Sequence, residues 1–133
     1  MATTLYHGTD RDFDAFDDSF IGSGNGHVNS NLGLWFAVVP DWVGGFGGRV
    51  IEAEVELGRS FPLTVKELYR LSHPSTGGDG GVEFFREMRR RLMEEGYDSI
   101  AIVEAGGSVD MHVVLTAASV AAIRDMAAAP APR

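Results

Sequence analysis

The side chains best suited to moving protons or holding a ligand in this 133-residue chain are four histidines, at positions 7, 27, 73 and 112, and the chain has no cysteine. Without cysteine, disulfides, thiolate catalysis and cysteine-ligated zinc are excluded together. No two histidines stand four apart as a helical zinc site requires, and no Gly-x-Ser-x-Gly elbow occurs, so neither a metal site nor a serine hydrolase is expected. His73 precedes Pro74 and reads as incidental, while His27 falls in a glycine-rich stretch that suits exposure. His112 lies in an apolar run and reads as a packed or edge residue. His7 has a different setting. It is followed by Gly8, which lets a ligand approach the backbone, and then by Thr9, whose hydroxyl can brace a turn.

These residues must be positioned by elements that the hydropathy pattern outlines. Residues 3–8 read as a short strand ending at Gly8. Phe13, Phe16 and Phe20 stand among five aspartates at 10, 12, 14, 17 and 18, a spacing that predicts a helical turn or two with the rings inward and the acids solvated. Residues 21–31 suit a mobile loop, and Gly22-Ser23-Gly24-Asn25-Gly26 is a weak phosphate cradle because no strand, helix or following lysine frames it. Gly33-Leu34-Trp35-Phe36-Ala37-Val38-Val39 predicts a buried strand, and Pro40 opens a short helix. From Arg49 to Leu57 apolar and polar residues alternate as in a half-buried strand, and Phe61-Pro62-Leu63 reads as a turn. A helix is expected from Thr64, with Glu67 at the capping-box position, to just before His73. A second helix over residues 82–95 carries the stripe Phe84, Phe85, Met88, Leu92 and Met93 and stops at Gly96. Ser99–Val103 and Val109–Leu115 form a hairpin around Gly106-Gly107, Val120 and Ile123 mark a last element, and residues 126–133 read as a flexible tail.

Strands at both ends with helices between them predict an α+β fold, and the length suits a single domain over residues 1–125. A formal charge of −8 opposes binding to phosphate backbones and anionic membranes, so neither nucleic acid nor membrane is expected as a partner. The one basic cluster, Arg86, Arg89, Arg90 and Arg91, is interleaved with glutamates at helical spacing and reads as a self-paired, solvated face. The first residues show neither a basic n-region nor an apolar h-region, which gives a soluble, cytoplasmic protein as the expectation.

Leu5-Tyr6-His7-Gly8-Thr9, then Gly33-Leu34-Trp35-Phe36-Ala37 with Pro40 behind it, then Gly96-Tyr97-Asp98-Ser99-Ile100 followed by Val113-Val114-Leu115, resemble successive motifs of ADP-ribosyltransferases. The likeness is to the poly(ADP-ribose)-polymerase-like, diphtheria-toxin-like branch and its small phage and bacterial members, and it spans residue 5 to about residue 123. It implies a split β-sheet core with flanking helices, NAD as co-substrate, and a toxin-like or effector activity that transfers ADP-ribose to a macromolecular acceptor, a protein foremost, with release of nicotinamide. On this resemblance His7 bonds the ribose and Gly8 offers its backbone to the nicotinamide carboxamide, with Thr9, Gly33 and Phe36 around the ligand. Trp35 takes the place of an aromatic, usually tyrosine, that packs on the nicotinamide ring, and Phe46 that of a second aromatic. The family's glutamate position falls on Met111, between Asp110 and His112. A thioether carries no charge, so the catalytic carboxylate is assigned to Asp110, on condition that a bulge or one-residue shift turns it inward. Glu104 is a more distant alternative. The resemblance therefore supports two readings, a transferase using His7, Trp35 and Asp110, and a catalytically silent member that binds NAD, another nucleotide or a protein. A third, an RNA-directed 2′-phosphotransferase, is disfavoured by the acidic charge.

Overall fold

The computed structural model describes residues 2–9, 13–22, 28–42, 49–72 and 80–126. Among these residues the chain forms seven strands, β1 Thr3–Thr9, β2 Leu34–Ala37, β3 Arg49–Val55, β4 Ser60–Thr64, β5 Ser99–Val103, β6 Val109–Val114 and β7 Val120–Asp125. Two α-helices, α1 Val65–Ser72 and α2 Gly80–Glu94, lie between β4 and β5. The strands hydrogen-bond into one mixed sheet in the order β4-β5-β6-β2-β1-β3-β7, with β4 and β5 parallel and the other neighbours antiparallel. The α+β expectation holds.

The joint between β1 and β2 is far weaker than its neighbours. β1 meets β3 along its whole length, from Thr3 opposite Val55 to Thr9 opposite Arg49. β2 meets β6 from Leu34 opposite Val114 to Ala37 opposite Met111. Between β1 and β2 the register holds one pair, Tyr6 opposite Ala37. The sheet is thus two half-sheets, β4-β5-β6-β2 and β1-β3-β7, whose ladder is one residue pair long where they join.

Two cores lie on opposite faces of the sheet, and β2 and β6 contribute to both. On one side Leu63, Ile100, Ile102, Val113 and Leu115 form a core with Phe85 and Leu92 of α2, and Trp35 and Met111 pack against it. On the other side Leu5, Phe36, Ala53, Val55 and Val114 form a second core, covered by Phe16, Phe20 and Ile21. Alternation along the strands explains the arrangement, because successive side chains point to opposite faces. In β3 the predicted alternation is realised, with Ile51, Ala53 and Val55 buried. The outward Glu52 and Glu54 take Arg124 and Thr4 as partners.

The helix ends follow the expected chemistry. The Glu67 amide donates to the Thr64 hydroxyl at 3.1 Å and that hydroxyl donates to the Glu67 carboxylate at 3.2 Å. Past α2, Gly96 adopts φ +89°, and the amides of Gly96 and Tyr97 donate to the carbonyls of Met93 and Leu92, which closes the helix with a glycine in the left-handed region. The β5–β6 hairpin turns as expected, with the Gly107 amide donating to the Glu104 carbonyl.

Several expectations are corrected. Phe61-Pro62-Leu63 lies within β4; as the sheet's outer strand, β4 has a free side where proline's missing amide costs no ladder bond. Phe13 to Phe20 is not a helix beyond the single 3-10 turn Asp18–Phe20, and its rings are stacked by an irregular chain. Nor are its acids all merely solvated. Asp17 caps that turn through the Ser19 amide, and Asp18 accepts from the Ala117 amide at 2.6 Å and the Thr116 hydroxyl at 3.1 Å, tying the segment to the end of β6. On α2, Phe84 and Met93 are exposed, and the inward stripe is Phe85, Met88, Arg89 and Leu92, so Arg89 leaves the solvated face and donates to the Leu115 carbonyl at 2.7 Å. The helix expected from Pro40 is a 3-10 turn, Pro40–Trp42, and β1 runs one residue beyond Gly8. His27, Phe46, His73 and most of the expected tail lie outside the described residues.

Gly33 sits where β2 starts beside β6, and a Cβ placed there would come within 2.4 Å of the Val114 carbonyl oxygen. Backbone cannot swing aside as a side-chain end can. Gly33→Ala is therefore expected to lower unfolding free energy by about 1–3 kcal/mol, read as a drop in denaturant midpoint. An unchanged midpoint would show that the two strands are not packed this closely.

Candidate functional site

Beyond Tyr6 the edge of β1 that faces β2 has no strand partner, and before Ala37 the facing edge of β2 has none either. The result is a wedge, with His7, Gly8 and Thr9 on one margin and Gly33, Leu34, Trp35 and Phe36 on the other. Backbone amides and carbonyls along a strand edge are strong hydrogen-bonding groups. The fold thereby gathers five of the residues singled out from sequence, His7, Gly8, Thr9, Gly33 and Phe36, together with the backbone of a sixth, Trp35.

One side chain spans the wedge. His7 Nδ1 lies 2.7 Å from the Trp35 carbonyl oxygen. A carbonyl can only accept, so Nδ1 carries a proton. The ring is half-buried, and loss of solvation pushes its pKa below the ordinary value while the bond to Trp35 pulls it the other way; desolvation is the larger effect. The imidazole is accordingly neutral at pH 7, and Nε2 presents a bare lone pair. Nε2 makes no bond to any described residue. Phe16 meets the ring edge-on at 5.0 Å between centroids and Phe36 tilts against it at 5.5 Å. The site thus offers one oriented acceptor on an aromatic wall, complementary to a hydroxyl donor.

Trp35 and Met111 face the opposite way. The Trp35 indole packs against the helix-side core and donates from Nε1 to the Asn29 carbonyl at 3.2 Å, so what it brings to the His7 margin is its carbonyl. Met111, opposite Ala37, packs in the same helix-side core. His112, opposite Phe36, belongs to the face that carries the His7 ring. Asp110 continues that register, since its carbonyl accepts from the Val38 amide at 3.1 Å, and Val38 packs in the second core. A bulge does occur there, between β5 and β6: Ile102 stands opposite Met111 but Val103 opposite Val109, which leaves Asp110 as the extra residue. Glu104 is at the hairpin tip, its amide donating to the Ser108 carbonyl.

Two contributors escape a reading of the sequence. Phe16 walls the imidazole although no periodicity links it to β1. His112 shows its proximity only once the strand order is known.

A separate cavity of about 360 Å³ is lined by Asp18, Ile21, Asn31, Arg86, Arg89 and Arg90. Its guanidinium groups are already engaged, Arg86 with Glu83, Arg89 with Asp18 and Arg90 with Glu87 and Glu94. The expected self-paired face holds for Arg86, Arg90 and Arg91, the last facing Glu87 at 4.0 Å. Among the described residues no group of three or more histidine, aspartate or glutamate side chains is placed to hold a metal. No described helix is long and apolar enough to cross a membrane.

A family model described as ADP-Ribosyltransferase in polyvalent proteins matches residues 1–125. No curated protein matches the chain. Among solved structures, the crystal structure of an anti-CRISPR protein is similar over 94% of this chain and 96% of that one, with a TM-score of 0.53 and 16% identity. At that identity the likeness is one of fold.

The His112 pKa is also lowered by burial, so both imidazoles on this face bind a proton less readily in the folded chain than in the unfolded one. Below about pH 6.5 the unfolded chain takes up more protons, so the stability present above that pH is lost on acidification. Unfolding free energy from denaturant titration should therefore fall between pH 7 and pH 5, and His112→Gln should reduce the slope of that fall. An equal slope in the variant would contradict the burial of His112.

Proposed function

Because the chain belongs to the ADP-ribosyltransferase family of polyvalent proteins, we propose that it binds NAD in the wedge between β1 and β2 and transfers ADP-ribose to a macromolecular acceptor, a protein foremost. The observation that carries this reading is the neutral His7 imidazole, fixed by the Trp35 carbonyl and offering Nε2 to a hydroxyl. In this role His7 anchors a ribose. The edge at Gly8, with Thr9 beside it, receives the nicotinamide carboxamide, whose amide and carbonyl can mimic a strand partner. Gly33 and Phe36 line the far margin, and the Trp35 indole stacks on the part of the ligand that passes through to the helix side. Phe46 remains the proposed second aromatic. The near-division of the sheet at Tyr6 and Ala37 supports the split core of this family.

In the reaction the bond between the ribose anomeric carbon and the nicotinamide nitrogen breaks, its electron pair leaves with nicotinamide, and the acceptor's nucleophile bonds to the same carbon while losing its proton. Positive charge develops on the ribose as the old bond stretches. A fixed carboxylate nearby stabilises that charge, and Asp110, the extra residue of the bulge on the His7 face, is the carboxylate proposed to do so. No step calls for a metal.

A second reading is favoured by Met111, which stands at the family's glutamate position and packs into the core. A silent member would keep the NAD wedge and lack turnover, because binding does not require the carboxylate.

Purified protein given nicotinamide-labelled NAD is expected to release nicotinamide, His7→Ala to abolish release, and Asp110→Asn to slow it by about a hundredfold. Binding of NAD without release would establish the silent reading. An unchanged rate in His7→Ala would overturn the assignment of the wedge.

A further inference from the structure

Arg49 brings a positive charge to the face that holds His7, yet it has no part in the proposed reaction. It opens β3 directly opposite Thr9 of β1, and residues paired in this way point to the same face, as do residues two apart along a strand. Arg49, Thr9 and His7 therefore share one face, and Arg49 is half-buried there. Its guanidinium holds Phe13 in two ways. Nη2 donates to the Phe13 carbonyl at 3.1 Å, and the guanidinium carbon stands over the Phe13 ring, 5.3 Å from its centroid. At that distance the face of the ring attracts a cation, and a planar guanidinium can stack on a ring while its edge donates to a carbonyl.

From Phe13 the contacts run inward to the imidazole. Phe13 meets Phe16 at 4.9 Å between centroids, and Phe16 meets His7 at 5.0 Å, nearly perpendicular. Phe16 also leans on the buried Phe36 at 5.2 Å. The chain that bears Phe16 belongs to no helix or strand, so no backbone ladder fixes that ring. It is pinned instead on either side, by Asp18 bonded to Thr116 and Ala117 and by Arg49 bonded to Phe13. The bond from His7 Nδ1 to the Trp35 carbonyl leaves the imidazole able to swing about that one contact. Phe16 against its edge and Phe36 tilted against it close off this freedom.

We propose that Arg49 is a positioning residue for His7: it latches Phe13, and through Phe13 holds the Phe16 ring against the imidazole. The latch itself is a property of the free protein, while its consequence for ligand binding rests on the NAD reading. A histidine already held in the bound orientation spares the ligand the cost of ordering it. Loss of the latch leaves the Trp35 bond in place, lets Phe16 move away and admits water to the ring.

Titration of the imidazoles by NMR in wild type, Arg49→Met, Phe16→Ala and the double variant tests the latch without any ligand. Burial lowers the His7 pKa, so removing either the latch or the ring should hydrate His7 and raise that value. Because Arg49 acts through Phe16, the two changes should not add, and the double variant should match Phe16→Ala. Additive shifts would mean that Arg49 acts on His7 by its charge alone, and an unmoved His7 in Arg49→Met that it does not act at all; either overturns the proposal. So does an equal shift of His112, the mark of a general loosening of this face. In wild type, through-space NMR contacts should join the Phe13 ring to the Arg49 side chain and the Phe16 ring to His7, and their absence would overturn the latch without recourse to a variant. Calorimetry with NAD reads the consequence, with Arg49→Met expected to bind about fivefold more weakly than wild type. Equal affinity would remove Arg49 from ligand binding. A wild type that binds no NAD, with His7 responding to the variants as expected, would overturn the NAD reading and leave the latch standing.

Discussion

Among the described residues one strand pair, Tyr6 with Ala37, and the bond from His7 to the Trp35 carbonyl link the two half-sheets at their joint, above the core they share. Everything else about the site follows from that thin joint. Were β1 and β2 laddered along their length, the amides and carbonyls of the wedge would be consumed and no polar edge would face a ligand. Were the joint absent, Trp35 and His7 would not meet and the imidazole would lose the bond that sets its tautomer. The architecture keeps the strands together at one level and apart at the next.

Cores on both faces of the sheet sustain this arrangement. β4, β5, β6 and β2 pack one face on α2, while β1 and β3, with the other face of β2 and β6, pack under the irregular chain from Phe13 to Ile21. The two coverings are tied together by Asp18, which bonds Ala117 and Thr116 after β6 and faces Arg89 of α2 at 3.8 Å. With Arg89 donating to the Leu115 carbonyl, that polar cluster fixes the end of β6 from both sides. The site residues on β6 are placed by that anchoring and by the bulge at Asp110.

Much of this was legible in the sequence, and the failures are instructive. Alternation in β3, the Thr64 cap, the Gly96 stop and the β5–β6 turn are local signals, and each is realised. The runs His7-Gly8-Thr9 and Gly33 to Phe36, singled out from the sequence, lie on the two margins of the wedge. What was not legible depends on strand order. Whether Asp110, Met111 or His112 shares a face with His7 follows from β6 lying beside β2 and from the bulge against β5, neither of which leaves a mark in composition or spacing. Similarly, Arg89 resembled its charged neighbours, and only its place at i+4 from Phe85 and three before Leu92 betrays an inward position. Phe61-Pro62-Leu63 reads as a turn because a proline at an outer strand looks the same in sequence as a proline in a turn.

The separation of binding from turnover is the chemical consequence. In the proposed scheme the His7 wedge serves binding, whereas the carboxylate that would stabilise a charged ribose is Asp110, with Met111 packed away. A crystal structure of the protein with a non-cleavable NAD analogue would place the ligand. The dinucleotide is expected in the wedge between β1 and β2, with a ribose hydroxyl about 3 Å from His7 Nε2. An analogue seated elsewhere, in the arginine-lined cavity beside α2 for example, with the wedge empty, would contradict it.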